Sequence, residues 1–175
     1  MKKVFVLKKM GNIEYLIINK KDVETVCNIQ RGKYEVKYSK ENCLTEDEIR
    51  EYLASLETVG QQDLCDAIIH ANQRIVNRVA SEERLAGMGT TAVVTAIKDN
   101  QLLWASVGDS RLYVYRDGLL RQITTDHSMV QELLTAGEIT KDEMLNHPQR
   151  NLLTRAVGVD EVLEVDSGIE SILPG

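Results

Sequence analysis

At Thr90 the hydrophobic pattern of the chain changes from a helical period to a strand period. From there to Ile123, apolar and polar residues alternate in short segments separated by turn residues, as they do in half-buried β-strands. The short connections between these segments predict consecutive antiparallel hairpins in one meander. The predicted strands are Ala92–Ile97, Leu102–Val107, Arg111–Arg116 and Leu119–Ile123.

Successive turns of such a meander lie at alternate ends of the sheet. The turns at Asp99-Asn100 and Asp117-Gly118 would share one end, where ordinary turn chemistry accounts for both aspartates. The Gly108-Asp109-Ser110 turn and the exit at Asp126-His127 would share the other end. We call this second end the rim and expect a functional site there. The candidate rim or substrate-contact residues are Gly108, Ser110, Arg111, Asp126 and His127.

Helical periodicity is found on both sides of the predicted meander. An apolar stripe predicts a helix over Gln62–Ala80, with Gln73, Arg74, Asn77 and Arg78 on its other faces. Three Ser/Thr-x-x-Glu/Gln patterns are typical of helix N-termini: Thr45–Glu48, Ser128–Gln131 and Thr140–Glu143. The stripe consists of Leu64, Ala67, Ile68, Ala71, Ile75 and Val79.

The first 40 residues differ in charge from the remainder. They carry ten Lys/Arg and four Asp/Glu (+6), which leaves eleven against twenty-three (−12) in a chain of net charge −6. The lysines come in pairs without arginine clusters or interleaved aromatics, so we do not expect a nucleic acid partner and interpret them as the solvated face of edge strands. The predicted strands here are Val4–Leu7, Glu14–Ile18, Val23–Ile29 and Tyr34–Tyr38, with Lys8–Asn12 as the first connection.

The composition is that of one soluble globular domain. The chain has 175 residues, 43% hydrophobic and 27% charged, and no apolar stretch long enough to cross a membrane. We expect a cytoplasmic protein without a membrane partner. The cysteines Cys27, Cys43 and Cys65 are odd in number and widely spaced, which favours buried free thiols. The turn residues within Asp166–Gly175 predict no further element at the end.

Four motifs in this order carry a family resemblance. They are Gly87-Met88-Gly89-Thr90-Thr91, the run from Ser106 to Tyr113, Thr125-Asp126-His127-Ser128, and the run from His147 to Gly158. Together they resemble the bacterial branch of the PP2C (PPM) metal-dependent protein serine/threonine phosphatases. The resemblance implies an α+β fold, a PP2C-like sandwich of antiparallel β-sheets flanked by helices. It also implies Mn²⁺ or Mg²⁺ at one end of the sandwich, where the metals generate a nucleophilic hydroxide.

Most metal-ligand motifs of the family have no counterpart here. Its Asp-Gly-Met-Gly-Gly is absent, because the only Asp-Gly is Asp117-Gly118 and Gly87-Met88-Gly89 is preceded by Ala86. Its later Ser-Asp-Gly-Leu is also absent, so we expect the sandwich to be incomplete at its C-terminal end. Asp109 alone matches a metal position, that of an outer site in bacterial relatives, and metal binding by this chain is doubtful.

The chain is interpreted as a single PP2C-like domain, 1–175. Within it, 1–44 is a divergent basic β meander, 45–86 is helical, 87–158 resembles the family and 159–175 is a tail. For Asp109 the choice is between a metal ligand and a turn-capping carboxylate, and for Arg111 between a structural partner and a phosphate clamp. His127 is either a packed histidine at a helix start or a general acid. The segment around His147 resembles a mobile flap of the family, where a plain surface loop is the alternative.

The function hypothesis is a PP2C-type phosphatase-like domain that is inactive as this chain. The resemblance implies a phosphoprotein, or its kinase, as the partner. One alternative is a non-catalytic binding or regulatory module that uses the basic N-terminal sheet, and another is a fragment of a longer phosphatase. An unpaired sheet edge after the family-like region would favour self-association or binding of a complementing segment.

Overall fold

The computed structural model describes residues 7–10, 13–17, 44–116 and 119–171. It contains helices and antiparallel strands, which confirms the predicted α+β class. The helices are Leu44–Ala54 (α1), Gln61–Ser81 (α2), Met129–Thr135 (α3) and Lys141–Asn146 (α4). Within the described ranges, no helix is both long and apolar enough to span a bilayer.

The strands form one larger and one smaller sheet. They are Leu7–Met10 (β1), Ile13–Ile17 (β2), Ala92–Lys98 (β3), Gln101–Val107 (β4), Tyr113–Arg116 (β5), Leu119–Gln122 (β6) and Asp166–Ser171 (β7). The order in the five-stranded sheet is β1-β2-β3-β4-β7, and every neighbouring pair is antiparallel. β5 and β6 pair separately. The β3–β4 turn has positive φ at both Asp99 and Asn100, the geometry of a type I′ hairpin.

The apolar stripe predicted for α2 is present, and it packs against one face of the larger sheet. The stripe residues are buried except Val79, which is partly buried, and Gln73, Arg74, Asn77 and Arg78 are exposed. Because side chains of a strand alternate between faces, the odd-numbered apolar residues of β4 share this core with the even-numbered ones of β3. On the opposite face, Val93 packs with Leu112, and Trp104 lies against this pair. The sheet is therefore covered on both faces.

The N-terminal prediction was wrong about the first connection. The stretch Lys8–Asn12 was expected to be a turn, but Lys8 and Lys9 lie within β1, which is the outermost strand described on that side. Lysine is well tolerated on a strand at a sheet edge, where its charge discourages further pairing. Glu14–Ile18 is confirmed with a shift of one residue as β2. The segments Val23–Ile29 and Tyr34–Tyr38, and also Cys27 and Cys43, lie outside the described residues.

Two of the three helix starts differ from the capping prediction. α1 begins at Leu44, so Thr45 lies inside its first turn rather than preceding it. Ser128 precedes α3 but its side chain makes no capping hydrogen bond. Only Thr140 caps as expected, because its hydroxyl accepts from the Glu143 amide and the glutamate accepts from the Thr140 amide.

The predicted meander breaks at Gly108, and this is a correction. β4 does not form a hairpin with β5; it pairs with β3 and β7, and Arg111 and Leu112 are not in a strand. The reason is the left-handed conformation of Gly108, with φ +97°, which turns the chain out of the sheet. The two ends of this region still meet, since the His127 amide donates to the Gly108 carbonyl at 2.9 Å. The predicted rim is therefore present in the structure, although the predicted meander is not.

The tail prediction was also wrong, because Asp166–Ser171 is the strand β7. Gly168, taken as a turn signal, lies opposite Trp104 in the β4–β7 register. A Cβ at this glycine would lie 2.8 Å from two atoms of the Trp104 ring, so the glycine allows the indole to pack on the β7 backbone. Cys65 is confirmed as a buried free thiol.

Candidate functional site

The rim is built on a close approach between the Gly108 turn and the start of β3. A Cβ at Gly108 would lie 2.2 Å from Cγ2 of Thr91, so only glycine permits this contact. The approach brings the hydroxyls of Ser110 and Thr91 within 2.7 Å of each other, and both side chains are buried. Gly108 and Ser110 thus join the turn to the sheet.

His127 bonds to the same turn from the opposite side. Its backbone amide donates to the Gly108 carbonyl at 2.9 Å, and the Gly108 amide donates to His127 Nδ1 at 3.0 Å. Its carbonyl accepts from the Thr154 amide at 3.1 Å. The residue is only 2% exposed. The structure therefore places His127 as a packed histidine at the start of a helix, one of the two predicted alternatives.

Asp166 faces the other ring nitrogen of His127. Its Oδ2 lies 3.0 Å from His127 Nε2, and its Oδ1 accepts from Arg155 Nη1 at 2.8 Å. The described residues give His127 Nε2 no hydrogen-bond partner of good geometry, so its contact with the carboxylate is chiefly electrostatic. Burial raises the pKa of the Asp166 carboxyl, but the contacts with His127 and Arg155 outweigh this and leave that pKa below its ordinary value.

Arg111 and Asp126 form the strongest ion pair of the rim. Arg111 Nε donates to both carboxylate oxygens at 2.8 and 3.0 Å, and Nη2 donates to Oδ2 at 2.6 Å. Gln122 Nε2 donates a fourth hydrogen bond to the same carboxylate, at 3.1 Å. The Asp126 hydrogen bond raises the pKa of the guanidinium above its usual range. This geometry satisfies a carboxylate that is 7% exposed and agrees with Arg111 as a structural partner, while its role as a phosphate clamp stays a prediction.

Asp109 lies between Gly108 and Ser110 in the turn. It is 9% exposed and makes at least one interaction with another group. Among the described residues, no group of three or more His, Cys, Asp or Glu side chains is placed to hold a metal ion. The role of Asp109 as an outer metal ligand stays a prediction.

The five predicted rim residues are brought together, and three further residues of the site were missed. Thr91, Arg155 and Asp166 come from distant parts of the chain, and no local spacing connects them to Gly108 or His127. Thr91 and Arg155 lie inside two of the four family-like motifs, and this could have identified them as candidate site residues. Asp166 lies outside these motifs, and its strand β7 was not predicted, so the sequence did not indicate that it belongs to the site. His147 lies apart from these contacts in a turn after α4, where its Nδ1 accepts from the Gln149 amide.

Residues 14–133 match the family model for protein phosphatase 2C. The chain belongs to this family. The match begins within the stretch 1–44 that was interpreted as divergent, and it extends through the Gly108 turn and the start of α3.

Known PP2C proteins from bacteria are similar to this chain over part of their length. The serine/threonine phosphatase stp of Listeria monocytogenes is 48% identical over 100 residues, which cover 57% of this chain and 40% of that protein. The chain thus spans less than half the length of this curated relative.

Solved structures of the family share the fold. The serine/threonine phosphatase Stp1 from Staphylococcus aureus superposes with a TM-score of 0.76 at 26% identity, covering 97% of this chain and 64% of that one. The catalytic domain of PstP, solved in complex with two manganese ions, gives a TM-score of 0.66 at 26% identity, covering 98% of this chain and 66% of that one. The α+β architecture described above is therefore that of PP2C phosphatases.

Proposed function

We propose that this PP2C-type phosphatase-like domain derives from enzymes that dephosphorylate phosphoproteins, and that the 175-residue chain does not hydrolyse phosphate esters by itself. Family membership supports the first part. The observation that carries the second is the pairing of the rim carboxylates with arginine, Asp126 with Arg111 and Asp166 with Arg155. The negative charge of a carboxylate that is paired with a guanidinium is already neutralised, so the carboxylate attracts a metal cation less strongly.

The described residues do not fit a two-metal centre. Mg²⁺ and Mn²⁺ need several anionic oxygens to replace their bound water. Of the rim carboxylates Asp109, Asp126 and Asp166, the last two are already paired with arginine. The sequence also has Ala86 before Gly87-Met88-Gly89 and lacks the Asp-Gly-Met-Gly-Gly of the family. These residues alone therefore do not supply the ligands for a metal-activated nucleophile.

The activity test is hydrolysis of a phosphothreonine peptide and of p-nitrophenyl phosphate with and without Mn²⁺. The full-length Listeria monocytogenes relative, assayed in parallel, shows that the conditions support turnover. We expect no release of phosphate above the buffer blank, because two metal ions make the nucleophile in this family. Turnover that a chelator abolishes would overturn the proposal.

Asp109 is proposed as the residue through which any divalent cation would bind at the rim. Its position in the Gly108 turn supports this, and its low exposure predicts weak binding. A Mn²⁺ titration followed by electron paramagnetic resonance should show a weak site that Asp109→Asn removes. Asp99→Asn is the matched control, since Asp99 lies in the hairpin turn between β3 and β4. Equal binding by both variants would contradict the assignment.

Electrostatic binding of a partner is a second candidate function. Lys8 and Lys9 lie on β1, the outermost described strand of the larger sheet, and this position supports the module alternative. Isothermal titration with an acidic peptide should then show binding that weakens steeply with salt. RNA and DNA are expected not to bind. Absence of saturable binding to the acidic peptide at low salt would remove this candidate.

A further inference from the structure

We propose that His127 is the positioning residue of the Gly108–Asp109 turn, acting through the lone pair of Nδ1 in its Nε2–H tautomer. Asp166 selects this tautomer from the neighbouring strand. The inference depends on the proposed function only for what Asp109 does; the arrangement of the turn is argued from contacts of this chain alone.

The hydrogen bond to Gly108 determines the tautomer. A backbone amide can only donate, so His127 Nδ1, at 3.0 Å, must present a lone pair. In a neutral imidazole the single ring proton is then on Nε2. With the proton on Nδ1, the Nδ1–H and the Gly108 N–H would be two donors facing each other. Because the site is buried, neither could hydrogen-bond to water instead.

The position of Asp166 stabilises the same proton arrangement. Its carboxylate lies 3.0 Å from Nε2, so a proton on that nitrogen meets a negative charge. Arg155 holds the carboxylate from its other oxygen and keeps it in place. Asp166 begins β7, which pairs with β4 just before Gly108, so strand pairing places the carboxylate and the turn on the same scaffold.

The backbone of His127 fixes the ring against both partners. Its amide and carbonyl are bonded to Gly108 and Thr154, on two different segments. The Thr154 bond therefore holds the ring against a segment other than the turn. Loss of the Nδ1 lone pair would leave the Gly108 amide as a buried donor without a partner, and this would open the turn that carries Asp109.

Two substitutions separate the roles of the two ring nitrogens. In His127→Asn the side-chain oxygen takes the approximate place of Nδ1 and retains an acceptor for Gly108. In His127→Gln the amide reaches toward the Nε2 position and keeps a donor for Asp166 but provides no acceptor at Nδ1. A purely space-filling role would favour glutamine, because it is closer in size to histidine. His70→Asn, on α2, is the control for a histidine substitution elsewhere.

The measurement is amide hydrogen exchange by NMR, with Gly108 compared to Val157 in each protein. The Val157 amide donates to the Thr90 carbonyl and reports opening outside the His127 contacts. We expect His127→Gln to raise the exchange ratio of Gly108 to Val157 by about tenfold or more, and His127→Asn and His70→Asn to leave it nearly unchanged. Equal ratios in the two His127 variants, or a larger effect from asparagine, would overturn the proposal.

A measurement on the unsubstituted chain keeps the proposal testable if either variant fails to fold. A scalar coupling between the Gly108 amide nitrogen and His127 Nδ1 should be detectable across the hydrogen bond, with a ring ¹⁵N spectrum typical of the Nε2–H tautomer. An Nδ1–H tautomer would contradict the proposal. Mn²⁺ broadening of the Asp109 amide separates the two claims: its absence would count against the metal role of Asp109, while the exchange and coupling results would still decide the role of His127.

Discussion

Different interactions hold together the layer between α2 and the larger sheet and the rim at the end of β4. The layer consists of packed apolar side chains such as Ile68, Val94 and Ala105, whose burial is favourable without any directional partner. The rim consists of polar groups, each of which requires a particular partner at a particular angle. The layer should therefore tolerate apolar substitutions that conserve volume, whereas the rim depends on individual atoms.

The largest expected effect is in the layer. Ile68→Ala should lower the free energy of unfolding by about 4 kcal/mol, because it removes buried apolar volume and leaves a cavity. Ile97→Ala, on a side chain that is 40% exposed, should cost about 1 kcal/mol or less. Urea titration followed by circular dichroism measures both. Similar losses in the two variants would mean that the layer is not the main source of stability.

The second test is steric and concerns the rim. Gly108→Ala should cost about 3 kcal/mol, since the new Cβ would meet Thr91 and the positive φ disfavours any residue but glycine. Gly137→Ala is the control: its φ is also positive, at +75°, but nothing lies within 4 Å of the added carbon. The control should cost about 1 kcal/mol. Equal costs would show that backbone strain alone explains the glycine at 108.

The third test removes a charge partner at the rim. Arg111→Met should cost about 2 kcal/mol, because it leaves the buried Asp126 carboxylate with Gln122 as its remaining side-chain donor; the value is below that of a fully buried pair since Arg111 is 44% exposed. Arg121→Met breaks an exposed pair with Glu170 and should cost about 0.5 kcal/mol or less. A loss at Arg111 no greater than that at Arg121 would contradict the structural role assigned to the Asp126 pair.

The smallest expected effect depends on pH. The pKa of Asp166 is lower in the folded chain than its ordinary value of 3.8, so the charged carboxylate stabilises the fold above that value. This stability is lost as the pH falls through the folded pKa. Asp166→Asn should therefore cost at most about 1 kcal/mol near pH 6, with the difference from the unsubstituted chain shrinking below pH 3.8. Asp160→Asn, on an exposed loop, should show no such trend in the same thermal melts.

The layer could be predicted from the sequence because its signal is local. The spacing of Leu64, Ala67 and Ile68 follows the helical period, and the alternation from Ala92 onward follows the strand period. The face that each element buries can therefore be predicted from its own sequence. The rim could be placed only in part. Gly108 and His127 were assigned to one end from turn counting, although the meander on which the counting relied does not form.

The remainder of the rim could not be predicted because its partners are remote in sequence. Asp166 contacts both His127 and Arg155, and it does so from β7, which pairs with β4. The glycine in β7 prevented its prediction as a strand. The turn residue that misled the strand prediction is the one that the Trp104 ring requires. A pattern of residue types does not distinguish a glycine that ends a strand from one that accommodates a ring within it.

The packing of Trp104 on Gly168 has a spectroscopic consequence. The chain has a single tryptophan, and its indole rests on the backbone of the strand that also carries Asp166. Intrinsic fluorescence therefore reports chiefly the docking of β7 and not the melting of α2 on the opposite face. If β7 detaches before the layer unfolds, the emission should shift to longer wavelength at a lower urea concentration than the loss of helical ellipticity.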